Sequence, residues 1–149
     1  MYQRHVNVLL EGPETATEVV VQRLLPHLRE PVVSLQAGAA FSLPDMEIGT
    51  LILNQVATLT TQQQMHVLEW SNAASPRPQV VSTSREPLYP RVEQALFAEA
   101  LYYRLNVVRI QVDSSTIRHW AEETRLAART SLRGGGSMFN VTSLHRSDD

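Results

Sequence analysis

The sequence predicts one α/β domain of three layers, in which helices cover both faces of a five-stranded parallel sheet. Two observations support this fold class. Five short apolar segments alternate with longer segments of helical periodicity, which is the pattern of parallel β–α units. The third apolar segment, residues 50–54, has a uniformly apolar interior, as expected for a strand covered on both faces. A chain of 149 residues is also long enough to bury one core of its own.

The predicted strands are short and rich in valine, leucine and isoleucine, and turn residues separate them from the helices. They cover residues 5–10, 32–36, 50–54, 79–82 and 106–112. Pro31 opens the second strand, and a loop that contains Gly38 and Pro44 follows it.

Capping residues and prolines predict where the helices begin and end. Thr17 is expected to cap a first helix that runs to about residue 27, with Pro26 ending or kinking it. A capping box is expected to start the second helix, formed either by Thr60 with Gln63 or by Thr61 with Gln64. Asn72 and Pro76 should end that helix.

The second half of the chain predicts two more helices and a tail. Pro90 is expected to begin a helix that runs to about Arg104. Asp113 or Ser114 should cap a last helix with an apolar face of Ile117, Trp120, Ala121, Thr124 and Ala128. Residues 134–137 read Gly-Gly-Gly-Ser, which predicts a flexible linker. We therefore expect a domain over residues 1–133 and a flexible tail over residues 134–149.

Composition excludes several kinds of chemistry. The chain has no cysteine, so disulfides, zinc–thiolate sites and cysteine nucleophiles are excluded. All 13 basic residues are arginine, so a Schiff base and a phosphate-binding lysine are excluded as well. The net charge of −2 gives no electrostatic footprint for nucleic acid or for an anionic membrane. The five histidines form no metal-ligand pair. No secretory or membrane-spanning pattern is evident, so we expect a cytoplasmic protein.

Three segments resemble one protein family. Residues 97–108 read F-A-E-A-L-Y-Y-R-L-N-V-V, residues 49–55 read G-T-L-I-L-N-Q, and residues 9–18 read L-L-E-G-P-E-T-A-T-E. The first segment matches ten of twelve positions in a signature, F-R-E-D-L-Y-Y-R-L-N-V-V, of the AAA+ domain of bacterial enhancer-binding proteins. Those ATPases activate sigma-54 RNA polymerase. The resemblance extends over about residues 5–112 and implies a P-loop NTPase-like AAA+ core with a five-stranded parallel sheet.

The phosphate-binding loop of that family, the Walker A loop, is altered in this chain. The family's first loop glycine is matched by Gly12, whereas Thr15 and Thr17 stand at its other glycine positions. Glycine lets backbone N–H groups wrap around phosphates, and β-branched threonine is poorly suited to that role. Glu18 stands at the lysine position and would repel phosphate instead of attracting it. The resemblance therefore implies that binding of ATP and Mg²⁺ is weak at best, and we expect no cofactor.

The residues that catalyse hydrolysis in the family are also replaced. The Walker B strand of the family ends in Asp-Glu, which holds Mg²⁺ and polarises water, whereas this chain has Asn54 and Gln55. Ser84 stands at the family's nucleotide-sensing asparagine, and Ala98 at the first signature arginine. A purely structural alternative is that Asn54 and Gln55 only satisfy hydrogen bonds at a strand end. We expect a domain with no enzyme activity.

These departures favour an inactive AAA+ core that acts as a regulatory or protein-interaction module. The family assembles through the face that carries the arginine signature, so Tyr102, Tyr103 and Arg104 form the candidate interface. The expected partner is a protein, either a second copy of the chain in a homo-oligomer or a related AAA+ activator. Arg104 has the alternative of a structural salt bridge. Two other hypotheses are a weak nucleotide sensor without hydrolysis and, less favoured, an active sigma-54 activator.

Overall fold

The computed structural model describes residues 5–38, 41–115, 117–119, 122 and 126. Five strands and four α-helices lie wholly within these ranges. In chain order they are β1 (Val8–Glu11), α1 (Glu14–Leu24), β2 (Val32–Gln36), β3 (Thr50–Asn54), α2 (Thr61–Ala73), β4 (Gln79–Ser84), α3 (Tyr89–Glu93), α4 (Glu99–Leu105) and β5 (Val108–Gln111). Short 3-10 turns follow α1 at Leu25–His27 and β3 at Val56–Thr58.

The five strands form one parallel sheet in the order β2-β3-β4-β1-β5. Val8 of β1 lies opposite Val81 of β4 on one side and Val108 of β5 on the other. Strand order reverses beside β1, because the chain leaves β1 for the far edge and returns through β3 and β4. In open parallel sheets, ligands bind at the carboxyl ends of the strands next to such a reversal.

Two apolar clusters lie on opposite faces of the sheet, which confirms the three-layer prediction. Leu9, Leu51 and Val80 pack with residues of α2 and α4, including Val67 and Leu101. The next residues along the same strands, Leu10, Ile52 and Val81, pack with Ala16 and Val20 of α1. Successive strand residues point to opposite faces, so alternate positions of each strand fill the two clusters.

The predicted bounds of β2 and β3 are confirmed, whereas the other strands differ by a few residues at their ends. The predicted last helix, with Trp120, Ala121, Thr124 and Ala128, lies mostly outside the described residues, and the Gly-Gly-Gly-Ser tail lies wholly outside them. The division into a domain over residues 1–133 and a tail therefore stays a prediction. Among the helices that the structure describes, none is long and apolar enough to cross a membrane.

The predicted start of the first helix is wrong. Helix α1 begins at Glu14, directly after Pro13, and Thr17 lies buried inside its first turns. The Thr17 hydroxyl donates to the Glu14 carbonyl oxygen at 3.1 Å instead of capping the helix. Proline sets a backbone φ near −65° that suits entry into a helix, so Pro13 starts α1 four residues earlier than the threonine pattern suggests.

The helix predicted from Pro90 to Arg104 is two helices, α3 and α4, separated by five residues. Ala95 in the break has a positive φ of 60°. The side chain of Gln64, buried on α2, fills the break. Its amide donates to the carbonyl oxygens of Leu59 and Leu96 at 3.1 and 3.0 Å, and its oxygen accepts from the Ala98 N–H at 2.8 Å. The helix is interrupted here, because the Leu96 carbonyl oxygen and the Ala98 N–H group bond to Gln64 on α2 instead of continuing the helical hydrogen bonds.

The capping box of α2 is confirmed in its first form. The Thr60 hydroxyl accepts from the Gln63 N–H at 3.1 Å, and the Gln63 side chain accepts from the Thr60 N–H at 2.9 Å. The alternative pair of Thr61 and Gln64 is wrong, since Gln64 is committed to the α3–α4 break.

Polar side chains also join the amino ends of the strands. The Asn7 amide donates to the Arg104 carbonyl oxygen at 2.8 Å and accepts from the Val80 N–H at 2.8 Å. Gln79 donates to the Val6 carbonyl oxygen at 2.7 Å. The starts of β1 and β4 are therefore tied to each other and to the end of α4.

We predict that Gln64→Met lowers the free energy of unfolding by about 2–4 kcal/mol, because it leaves two carbonyl groups and one N–H group without their partner at a buried site. Urea unfolding followed by circular dichroism measures the loss. Gln62→Met, at an exposed position of the same helix, is the matched control and should change stability by less than about 0.5 kcal/mol. Equal losses in the two variants would contradict this role for Gln64.

Candidate functional site

A cavity of about 210 Å³ lies between α1 and the carboxyl ends of β2, β3 and β4. Four of the six residues predicted for a nucleotide site line it: Thr17, Glu18, Asn54 and Gln55. The other two, Gly12 and Ser84, are hydrogen-bonded to each other at the ends of β1 and β4. The structure thus brings all six positions to the carboxyl ends of the strands, but only four of them face the cavity.

The connection from β1 to α1 is only two residues long, Gly12 and Pro13. The Gly12 N–H donates to the Ser84 carbonyl oxygen at 2.9 Å. The N–H groups of Ala16 and Thr17 both donate to the Pro13 carbonyl oxygen, also at 2.9 Å. These three N–H groups are therefore already paired within the protein.

Gly12 is held against the segment that follows β5. An added Cβ atom would lie 2.0 Å from the Val112 carbonyl oxygen, and the Gly12 φ of 156° is one that side chains rarely adopt. Because Val112 in turn donates its N–H to the Glu11 carbonyl oxygen at 2.8 Å, the junction is tight on both sides. Only glycine fits here, so the match to the family's loop glycine has a local structural cause.

The side chains from α1 make the cavity acidic. Glu14 forms an exposed ion pair with Arg85, whereas Glu18 has no hydrogen bond or ion pair with any described residue. Among the described residues that line the cavity, none is basic. The rim of the cavity therefore carries one uncompensated carboxylate.

The two amide residues at the end of β3 differ in how their side chains are used. The Asn54 amide donates to Ser34 Oγ at 3.1 Å and to the Leu35 carbonyl oxygen at 3.3 Å, which fits the structural alternative for this residue. Gln55 adopts a left-handed backbone with φ of 60°, and its N–H donates to Thr83 Oγ1 at 3.0 Å. Its side-chain amide makes no hydrogen bond within the described part of the chain, so the structural alternative explains only its backbone.

Ser84 serves the local structure. Its side chain is fully buried, and its hydroxyl donates to the Glu86 carbonyl oxygen at 2.7 Å. With its own carbonyl accepting from Gly12, Ser84 holds the end of β4 against the start of the β1–α1 connection.

Sequence reasoning missed Glu11, the last residue of β1. Its carboxylate is almost fully buried, accepts from the Leu88 N–H at 2.7 Å and lies 3.6 Å from the Arg109 guanidinium on β5. The available signal was a lone charged residue at the end of an apolar strand, next to the glycine of the loop. Glu11 connects the segment after β4 to β5 at the same edge of the sheet.

The predicted interface residues lie at the opposite end of the sheet, near the amino ends of the strands. Tyr103 and Arg104 line a groove of about 400 Å³ with residues that precede β1, β4 and β5, among them His5, Arg77 and Val107. Arg104 reaches Ser71 Oγ at 3.5 Å, and the described residues provide it with no carboxylate partner, so the salt-bridge alternative is not supported.

The structure does not place Tyr102 on the exposed candidate interface. It is 4% exposed and belongs to the core, whereas the neighbouring Tyr103 is 56% exposed. The helical turn of α4 points the two side chains in different directions. Tyr102 packs against the rings of Tyr89 and Tyr103 at centroid distances of 5.5 and 5.3 Å. The Tyr103 phenol, followed by the Glu93 carboxylate, raises the pKa of the exposed Tyr89 phenol.

Comparison with known proteins identifies the family. The profile described as "Sigma-54 interaction domain" matches residues 1–114. The chain belongs to this family. A search of curated proteins found no match to the sigma-54 interaction domain of this chain.

Several solved structures share the fold. NtrX from Brucella abortus in complex with ATP is 20% identical with a TM-score of 0.57, over 89% of this chain and 38% of that one. NtrX in complex with ADP is 21% identical with a TM-score of 0.55, over 72% and 32%. The P-loop NTPase domain of a sigma-54 transport activator from E. coli is 20% identical with a TM-score of 0.54, over 74% and 84%.

The chain spans about a third of the length of the NtrX chains that it matches. The predicted AAA+ fold is confirmed, with the five-stranded parallel sheet and helices on both faces. At these identities the likeness establishes the fold of the sigma-54 interaction domain and leaves its activity to the residues of its own site.

We predict that Gly12→Ala lowers the thermal midpoint of unfolding much more than Gly38→Ala does. Both glycines have nearly the same φ, 156° and 159°, but an added Cβ meets the Val112 backbone only at Gly12 and open space at Gly38. The shared φ costs each variant about 1–3 kcal/mol, so the difference between them isolates the steric contact. Differential scanning calorimetry measures both midpoints. Equal shifts would contradict the close approach of Gly12 to Val112.

Proposed function

We propose that this sigma-54 interaction domain is a catalytically inactive AAA+ domain that acts as a regulatory or protein-interaction module in transcription regulation. The observation that carries the proposal is the β1–α1 connection. It contains only Gly12 and Pro13, and the N–H groups of Gly12, Ala16 and Thr17 are paired within the chain. A phosphate-binding loop needs such groups free and pointing at the ligand.

Charge supports the same conclusion. Glu18 on α1 adds an unpaired carboxylate to the cavity. The chain contains no lysine that could attract a phosphate group there instead. At a distance of about 4 Å, two like charges repel by about 1–4 kcal/mol, depending on how water screens them. The cavity of about 210 Å³ is also smaller than the roughly 300 Å³ at the low end of small-molecule pockets.

The end of β3 lacks the groups that hydrolysis needs. Asn54 and Gln55 are neutral amides, so neither can act as a general base toward water. The amide N–H groups of Asn54 are already bound to Ser34 and Leu35. Even a nucleotide held weakly at this edge would meet no carboxylate from β3, which supports an inactive domain over an active activator ATPase.

The groove lined by Tyr103 and Arg104, at the amino ends of the strands, supports the interaction part of the proposal. Tyr103 and Val107 are more than half exposed, and Arg104 and Arg77 lie beside them. Exposed aromatic and arginine side chains are enriched where proteins bind one another. Membership of the family supports a partner among sigma-54 and related activators. We propose that the groove contacts a second copy of the chain or a related AAA+ activator, in the cytoplasm.

We expect millimolar MgATP and MgADP to leave the thermal midpoint of the full chain unchanged within about 1 °C. A nucleotide at about 100 times its Kd would stabilise the fold by about 2.7 kcal/mol, a shift of several degrees. A clear shift would contradict loss of binding and favour the nucleotide-sensor hypothesis. The Thr15→Gly/Thr17→Gly/Glu18→Lys variant is the comparison, because it restores the loop glycines and the lysine. A MgATP-dependent shift in this variant alone would assign the loss to those three side chains.

We expect Tyr103→Ala/Arg104→Ala to reduce self-association or capture of a related AAA+ activator by about tenfold or more, since truncating interface aromatic and arginine anchors commonly costs that much. Light scattering measures the mass against the 16.7 kDa monomer. Met65→Ala, at an exposed position of α2, is the control and should leave association unchanged. Association that persists in the double variant would exclude this groove as the contact.

A further inference from the structure

Two grooves of opposite charge adjoin each other at the amino ends of the strands. The first, the Trp70 groove, has a volume of about 340 Å³, lies between the β2–β3 connection and the end of α2, and contains Asp45 and Glu47. The second is the groove of about 400 Å³ described above, here called the Tyr103 groove. Pro78, in the α2–β4 connection, lines both of them. The two grooves therefore lie side by side on one surface.

The Trp70 groove offers two carboxylates beside a fixed aromatic ring. The side chains of Asp45 and Glu47 are exposed, and neither forms a hydrogen bond or an ion pair within the described part of the chain. The described residues that line this groove include no basic side chain. Trp70 donates its indole N–H to the Pro44 carbonyl oxygen at 2.9 Å, which holds the ring against the β2–β3 connection. The groove therefore has one fixed wall and two unpaired negative charges.

The Tyr103 groove has the opposite charge. The Arg77 side chain is exposed and forms no hydrogen bond or ion pair with any described residue. The Arg104 guanidinium reaches Ser71 Oγ at 3.5 Å, and the described residues that line the groove include no carboxylate. Two arginines without a carboxylate partner produce a positive potential, which favours an acidic surface on the molecule that binds there.

Exposed apolar side chains accompany the charges in both grooves. Met46 in the Trp70 groove is 61% exposed, and Val107 lies more than half exposed beside the Tyr103 ring. Apolar side chains that are exposed together and surrounded by charged residues mark surfaces that bind other proteins. The combined surface therefore has the chemistry of a protein interface, with both signs of charge and an apolar component.

A second copy of the chain fits this surface. In a contact with two-fold symmetry each surface meets an identical one, so the surface must complement itself. Two unpaired carboxylates next to two arginines without a carboxylate partner meet that requirement. We propose that two copies associate about a two-fold axis near Pro78, with the Trp70 groove of each copy against the Tyr103 groove of the other. This contact rests on the proposed function, in which the Tyr103 groove binds a protein, and it names the surface that the groove meets.

Charge reversal in the full chain tests the two-fold contact. Asp45→Arg/Glu47→Arg and Arg77→Glu/Arg104→Glu each bring like charges together in a symmetric pair, so each should weaken self-association at least tenfold. Mixed in equal amounts, the two variants have complementary charges at both halves of the contact. We therefore expect the mixture to form a heterodimer with about the wild-type affinity. Sedimentation equilibrium measures each mass against the 16.7 kDa monomer.

A matched control separates the grooves from overall charge. Glu18→Arg/Glu86→Arg makes the same change in net charge as Asp45→Arg/Glu47→Arg, at exposed positions near the carboxyl ends of the strands, and should leave association unchanged. Equal losses in these two variants would overturn the contact. Arg104 is half-buried, so Arg77→Glu alone takes the place of its double variant if that variant fails to fold.

The outcomes separate this contact from the proposed function. A monomeric wild-type chain, wild-type association of Asp45→Arg/Glu47→Arg, or a mixture that fails to associate would overturn the two-fold contact. If Tyr103→Ala/Arg104→Ala loses association or capture of a related AAA+ activator while Asp45→Arg/Glu47→Arg keeps it, only the two-fold contact fails. If Tyr103→Ala/Arg104→Ala keeps it, the proposed role of the Tyr103 groove fails as well.

Discussion

The close contact between the β1–α1 connection and its neighbours determines the structure at the carboxyl ends of the central strands. Gly12 lies against the Val112 backbone with no room for a side chain, and its N–H is bound by Ser84. Pro13 then starts α1 at once. Since β1 lies between β4 and β5, this junction fastens three adjacent strands. The N–H group of Gly12, the residue at the family's first loop glycine, is used to hold the fold together.

Polar side chains make the other connections between the elements. Gln64 holds the α3–α4 break on α2, Asn7 ties β1 to β4 and α4, and Glu11 reaches both Leu88 and Arg109. Helices α3 and α4 have only five and seven residues, too short to be stable by themselves, so such contacts position them. Each of these side chains satisfies backbone groups that would otherwise be buried unpaired.

The two edges of the sheet differ in chemistry. The carboxyl ends of the strands form a small cavity with the unpaired Glu18 and Gln55 side chains. The amino ends form a wider groove with Arg77, Arg104 and the exposed Tyr103. An acidic cavity and a basic, partly aromatic groove suit contacts with proteins better than binding of a triphosphate. This contrast supports the proposal of an interaction module built on the AAA+ fold of the sigma-54 interaction domain.

The sequence by itself determined the fold class, the parallel strands, the bounds of β2 and β3, the capping box and the substitutions at the nucleotide-site positions, because periodicity, capping and residue identity are local. Tertiary structure alone decided that Pro13 starts α1, that residues 90–104 form two helices, and that Tyr102 is core while Tyr103 is exposed. It also decided which residues share the cavity and gave Glu11 its role. These features depend on contacts between residues far apart in the chain, such as Gln64 with Ala98 and Gly12 with Ser84, which no local pattern encodes.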